Sequence, residues 1–174
     1  KQAAREEGMT FLRDAALGLA VTTDFAKRMV NSGRLSTATT YVSSPLSTAD
    51  DDIWRGGPAP GAPIPDVPLR NQAGQQRYLT EILPAGFVLL VRAASLAVGL
   101  PAVDLPAGLS LLEIGGPRGW QDVEGHFAGR FAATPGCAYL VRPDGHIAAR
   151  FRDIGAPQAQ ERLAAALARA KASH

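Results

Sequence analysis

A single cysteine, Cys137, stands in 174 residues, which excludes an internal disulfide framework and a cysteine-rich metal site. Histidine is nearly as scarce. His126, His146 and His174 share no ligand-like spacing, and no HExxH pattern occurs. Charge of one sign is lacking too: the formal net charge is +2, with no basic run, so nothing points to nucleic acid. No apolar run approaches the ~20 residues that span a bilayer, and no charged start followed by an apolar core marks a signal peptide. Neither nucleic acid nor membrane is an expected partner, and the expected location is cytoplasmic. The glycines at 56–57, 61 and 115–116 form neither a GxGxxG between strand and helix nor a GxxxxGK[ST] loop. Ser36, Ser44 and Ser95 sit in no G-x-S-x-G context. Asp50-Asp51-Asp52 is followed by no further ligand at cation-loop spacing and reads as a solvated acidic linker. An initiator Met is missing as well; Lys1 leads into what reads as a helix, so the chain is expected to belong to a longer polypeptide.

What is present is an ordinary globular composition, 46% apolar and 20% charged, enough for one domain with or without a tail. The best-marked element is the stretch Cys137–Phe151, CAYLVRPDGHIAARF. Two apolar runs, 138–141 and 147–151, flank Pro143-Asp144-Gly145, a sequence suited to a tight turn, so a β-hairpin is expected. A closing helix follows, with Ala159, Leu163, Ala166, Leu167 and Ala170 on one face. Upstream, 87–91 and 109–114 are continuous apolar runs, as expected of strands buried on both faces. Residues 71–76 read as a turn, 78–83 as a short helical piece, and 121–133 as a short helix interrupted at Gly125 and Gly129. Strand, crossover, strand, crossover, hairpin and final helix is the order of a thioredoxin-type α/β layer, a central mixed sheet with flanking helices.

Ahead of that layer the pattern changes. Residues 2–20 carry Met9, Leu12, Ala16 and Leu19 at helical spacing, and Thr22-Thr23-Asp24 offers cap chemistry for a second helix to about Asn31. These helices read as the tail of a preceding domain, with a helical hairpin packed on the following domain as the alternative. Without their partner, Met9, Phe11, Leu12 and Leu19 would expose an apolar patch that favours a homodimer. Residues 33–52 are rich in Ser and Thr, and Pro58, Pro60, Pro63, Pro65 and Pro68 then impose extended backbone. The composition shift divides the chain into 1–52, a helical tail with linker, and 53–174, the α/β domain. Tyr41, Trp54 and Trp120 sit in or beside loops, and read equally as packed plugs or as interface residues. Cys137 reads as a buried small apolar residue, with a displaced redox thiol as the sharper alternative.

The opening Gly61-Ala-Pro-x-Pro-Asp-x-x-Leu69, with the Pro-Asp-Gly hairpin, resembles the peroxiredoxin and thioredoxin superfamily. The position of its reactive cysteine corresponds to Arg92-Ala93-Ala94-Ser95-Leu96, which has none. The succession FLRDAALGLA, then Arg34-Leu35-Ser36, Tyr41, Ser44-Pro45-Leu46, a Pro-rich linker and Leu140-Val141-Arg142-Pro143-Asp144-Gly145 resembles the C-terminal end of class A flavin-dependent aromatic hydroxylases. That resemblance implies a redox-inactive thioredoxin-like domain used for packing and oligomer contacts. It implies FAD and NAD(P)H as cofactors of the parent enzyme, with neither held by this chain. It also implies an aromatic or phenolic substrate, and an upstream FAD-binding domain of the same polypeptide as partner. No catalytic, flavin-binding or metal residue carries over. Two rivals remain: a stand-alone peroxiredoxin-like thiol peroxidase using Cys137, and a free-standing dimerisation or binding module.

Overall fold

The computed structural model describes residues 39–41, 44–50, 52–93 and 105–172. The chain divides into two units, residues 1–39 and 40–174, and the described residues lie in the second apart from Thr39. The two leading helices, Arg34-Leu35-Ser36, Val42, Asp51 and the crossover from Ala94 to Asp104 lie outside them.

The described elements are β1 (Pro68–Arg70), β2 (Gln76–Tyr78), α1 (Leu79–Ile82), β3 (Phe87–Arg92), β4 (Leu109–Ile114), α2 (His126–Arg130), β5 (Ala138–Val141), β6 (Ile147–Phe151) and α3 (Ala159–Lys171). Four of them form one sheet in the order β4-β3-β5-β6, with β3 parallel to β4 and the other neighbours antiparallel. The mixed α/β class, both central strands, the hairpin and the closing helix agree with the expectation from sequence. β3 is buried along its apolar length, as its unbroken Phe-Val-Leu-Leu-Val run demands. β4 departs from that expectation. It pairs with β3 on one side, and Leu111 is 38% exposed on it.

Period-2 alternation sends side chains to two layers. Phe87, Leu89, Val91, Leu140 and Phe151 pack with Leu163, Ala166, Leu167 and Ala170 of α3. The opposite face places Val88, Leu90, Tyr139 and Ile147 against Val67, Leu69, Leu79, Phe127 and Phe131. The small residues of α3 bring that helix close to the sheet, and Arg169 and Lys171 occupy its last turn, where the helix dipole favours cations.

Local chemistry sets the short elements. Asn71 Oδ1 accepts the Gln75 N–H at 2.9 Å, and Gly74 at φ +78° closes the turn between β1 and β2. The expectation here is extended proline-rich backbone up to Leu69 and a turn at 71–76; in the fold Pro68 leads a strand, where its missing N–H costs no ladder bond. Asp122 caps α2 with both carboxylate oxygens, accepting the N–H groups of Phe127 and Ala128 at 2.9 Å each. In the main hairpin Asp144 Oδ1 accepts the His146 N–H at 3.1 Å, and Gly145 takes φ +78°. Val141 faces Ile147 while Leu140 faces Ala149. Ala148 is therefore a bulged residue, and the bulge re-aims the strand beyond it.

Candidate functional site

The largest concentration of polar and aromatic groups lies on β6 and the segment that crosses it. Arg150 is the one charged residue among the buried set, 7% exposed. It stands opposite Tyr139 in the β5–β6 ladder, so its guanidinium rises on the aromatic face of the sheet. Arg150 Nε donates to Asp50 Oδ1 at 2.8 Å and Nη2 to Asp50 Oδ2 at 2.6 Å, a bidentate fork. Its Nη1 reaches the carbonyls of Gly56, Gly57 and Pro58 at 3.2, 3.3 and 3.0 Å. Arg152, two residues on, donates to the Ile53 carbonyl at 3.2 and 2.8 Å. Both guanidinium groups lie against the Trp54 ring, 4.3 and 4.2 Å from its centroid. Trp54 tilts against Tyr139 at 5.6 Å, and Tyr139 packs edge-on to Phe131. The Tyr139 hydroxyl donates to the Phe131 carbonyl.

Electrostatics follows from this packing. Burial alone lowers the Arg150 pKa, but the hydrogen bonds and charge of Asp50 outweigh it and hold the value above its ordinary level. Burial pushes the Tyr139 phenol up, against the pull of Arg150 and Arg152. Asp50 was expected in a solvated acidic linker. It is instead committed to Arg150, because a cation buried on a strand needs an anion within reach.

A second polar cluster surrounds the hairpin turn. Arg142 Nε donates to Asp144 Oδ1 at 3.2 Å, and Nη2 also bonds that carboxylate. Burial raises the Asp144 pKa, but the Arg142 and His146 hydrogen bonds win and bring it below the ordinary carboxylate value. Tyr41 is 51% exposed and tilts against His146 at 5.0 Å. A cleft of about 370 Å³ opens beside this turn, bounded by Ile64, Thr80, Pro84, Val88 and Asp144. The Arg142 Nη1 atom, without a partner, is sealed from solvent and so is not presented to it.

The remaining expected residues fall elsewhere. Trp120 is half-buried, bridges to Ile114 and borders a cleft of about 290 Å³ with Arg118 and Asn71. Cys137 is 1% exposed at the entrance to β5. Burial dominates its pKa, which rises from 9.0 to about 11 although Arg152, the Thr134 backbone and two other arginines pull it down. Tyr41, Trp54, Trp120 and Cys137 do not converge on one cavity: Trp54 belongs to the β6 cluster, Tyr41 to the hairpin turn, and Trp120 to the loop after β4. Sequence reading missed Arg150 and Arg152. The available signal was an arginine inside IAARF, a strand otherwise apolar enough to be buried.

The glycine-rich turn after β4 is the nearest approach to a phosphate cradle among the described residues. It does not fit a dinucleotide. A Cβ on Gly116 would fall 1.3 Å from Glu113 Oε1, so the space that glycine leaves open is filled by a carboxylate, which repels a pyrophosphate. Among the described residues no group of three His, Cys, Asp or Glu side chains could hold a metal ion. No described helix is long and apolar enough to cross a membrane.

Residues 57–172, well over half of the chain, match the family "aromatic-ring hydroxylase, C-terminal". The chain belongs to that family. Over 99 residues it is 34% identical to a 4-methyl-5-nitrocatechol 5-monooxygenase of a Burkholderia species, covering 55% of the chain and 18% of that protein. Its fold is similar to the crystal structure of the flavin-dependent monooxygenase PieE in complex with FAD and substrate. There the TM-score is 0.56 at 25% identity, over 83% of this chain and 28% of that one. It is similar in fold to aklavinone-11 hydroxylase in complex with FAD and aklavinone, with a TM-score of 0.58 at 22% identity, over 79% of this chain and 27% of that one. The chain thus spans less than a third of the length of each of these three relatives.

Proposed function

We propose that this chain is a non-catalytic C-terminal part of a larger FAD-dependent aromatic-ring monooxygenase. In this reading flavin, NAD(P)H and a phenolic substrate are handled by an upstream domain of the same polypeptide. Residues 1–52 are the tail of that upstream part and 53–174 a thioredoxin-like layer without its cysteine. The strand order β4-β3-β5-β6 supports the layer assignment, since it places the first central strand inside and the hairpin beyond it. The observation that carries the reading is the family match over residues 57–172 in a chain spanning only 18–28% of its relatives.

The chemistry of the described residues supports the non-catalytic part. Their strongest polar cluster spends its donors on backbone carbonyls and on Asp50. The lone thiol is buried and held protonated, whereas a peroxidatic cysteine needs an exposed thiolate. The role left to the domain is packing against the flavin-bearing part and, through it, oligomer contacts.

The test uses the natural polypeptide that contains this segment. NADH or NADPH oxidation, and oxygen incorporation into a phenolic ring, should appear in it and survive Cys137→Ser. Dithiol-dependent peroxide turnover that vanishes in Cys137→Ser would establish the thiol-peroxidase alternative instead.

A further inference from the structure

The segment ahead of the family match reads as linker, yet its described residues from Thr48 onward are bound at one position after another. Thr48 N–H donates to the carbonyl of the bulged Ala148 at 2.7 Å, so the β6 irregularity has a partner. Asp50 takes both forks of Arg150, and the Ile53 carbonyl takes Arg152. Asp52 lies 3.6 Å from Arg162 at the start of α3. Trp54 carries two guanidinium groups on its ring. The run ends at Gly57, whose φ is +73° and whose missing Cβ lets the backbone pass the Phe131 carbonyl; a Cβ there would stand 2.3 Å from that oxygen.

We infer that residues 48–50 and 52–58 form a latched strap with Arg150 as its keystone. The strap runs mostly ahead of the matched boundary at residue 57 and is tied down on the α/β layer, and it opens as one unit when the Asp50–Arg150 pair is broken. A single guanidinium bonds five oxygens from two stretches of the strap, a carboxylate at 50 and carbonyls at 56, 57 and 58. Removing the carboxylate leaves a cation with a side chain 6% exposed, and its cheapest relief is to admit water by releasing the strap. The β3–β5 ladder makes none of these bonds, and α3, which meets the strap at Arg162 beside Asp52, is held by its apolar face on the sheet, so both should stay closed. Such a local opening would change the path by which the upstream chain enters the domain.

Limited trypsin digestion of the full chain reads the opening, because Arg55 sits exposed in the middle of the strap. A bound strap resists the extended fit that a protease requires. Asp50→Asn keeps the shape and removes the charge; it should speed cleavage after Arg55 by about a hundredfold, near the low end of losing one partner of a buried pair. Cleavage after Arg92, inside the sheet on β3, should not change. Arg152→Gln leaves the Asp50 pair intact and should raise cleavage after Arg55 by a smaller factor, giving a second readout if Asp50→Asn does not fold. Unchanged cleavage after Arg55, or acceleration in step with the Arg92 site, would overturn the proposal.

Discussion

At the scale of single residues, burial and conformation decide what each side chain can do. Gly57→Ala must place a methyl against the Phe131 carbonyl at a backbone angle that suits glycine. A cost of about 2–4 kcal/mol in denaturant unfolding is expected. Gly74→Ala has a similar φ but open space around it, and should cost about 1 kcal/mol. Tyr139→Phe orphans the Phe131 carbonyl and should cost about 1–3 kcal/mol. Cys137 gives a pH signature. Its folded thiol ionises near 11 against 9.0 for an exposed one, so between those values the unfolded state sheds a proton that the folded state keeps. Stability is complete below pH 9 and falls as pH rises towards about 11, by about 2–3 kcal/mol. Urea titrations of the chain and of Cys137→Ala between pH 9 and 10 should show the fall in the first and its loss in the second; above 10 the Tyr139 phenol, also raised by burial, adds a fall of the same sign to both. Arg150 shows where residue-level reading from sequence stops. An arginine between Ala149 and Phe151 announces a partner, but nothing local says that the partner is Asp50, 100 positions away.

At the scale of elements, strong periodicity carried the reading. The closing helix was legible because Ala159, Leu163, Ala166, Leu167 and Ala170 share one face, and all five are buried. The hairpin was legible because Pro143-Asp144-Gly145 has turn chemistry between apolar runs. The short ribbon β1–β2 was not, since three-residue strands carry too little alternation to separate from extended loop. The bulge at Ala148 was also hidden. It depends on which carbonyl the strap takes, a tertiary choice. β4 was read as doubly buried, but an apolar run cannot report that Leu111 would stand partly in solvent. Leu163→Ala should therefore cost about 2–5 kcal/mol, and Leu111→Ala under about 1 kcal/mol, as compared by thermal or urea unfolding. Equal costs would mean that Leu111 is covered as fully as Leu163.

At the scale of the whole molecule, the succession of motifs from FLRDAALGLA to Leu140-Val141-Arg142-Pro143-Asp144-Gly145 resembles the family, and the match over residues 57–172 shows it. The candidate sites were less legible. Tyr41, Trp54 and Trp120 were visible as aromatics in loops, but only the fold separates one under two arginines from one half-exposed beside a histidine. The central claim is that flavin chemistry of the parent enzyme lies outside this chain. Glu113 filling the glycine turn after β4 and the inward use of Arg150 support it. Equilibrium dialysis of FAD against the chain, and in parallel against the natural polypeptide containing it, tests the claim most directly. The account predicts retained yellow flavin with the longer polypeptide and none with this chain. Stoichiometric FAD binding by the chain alone would contradict it.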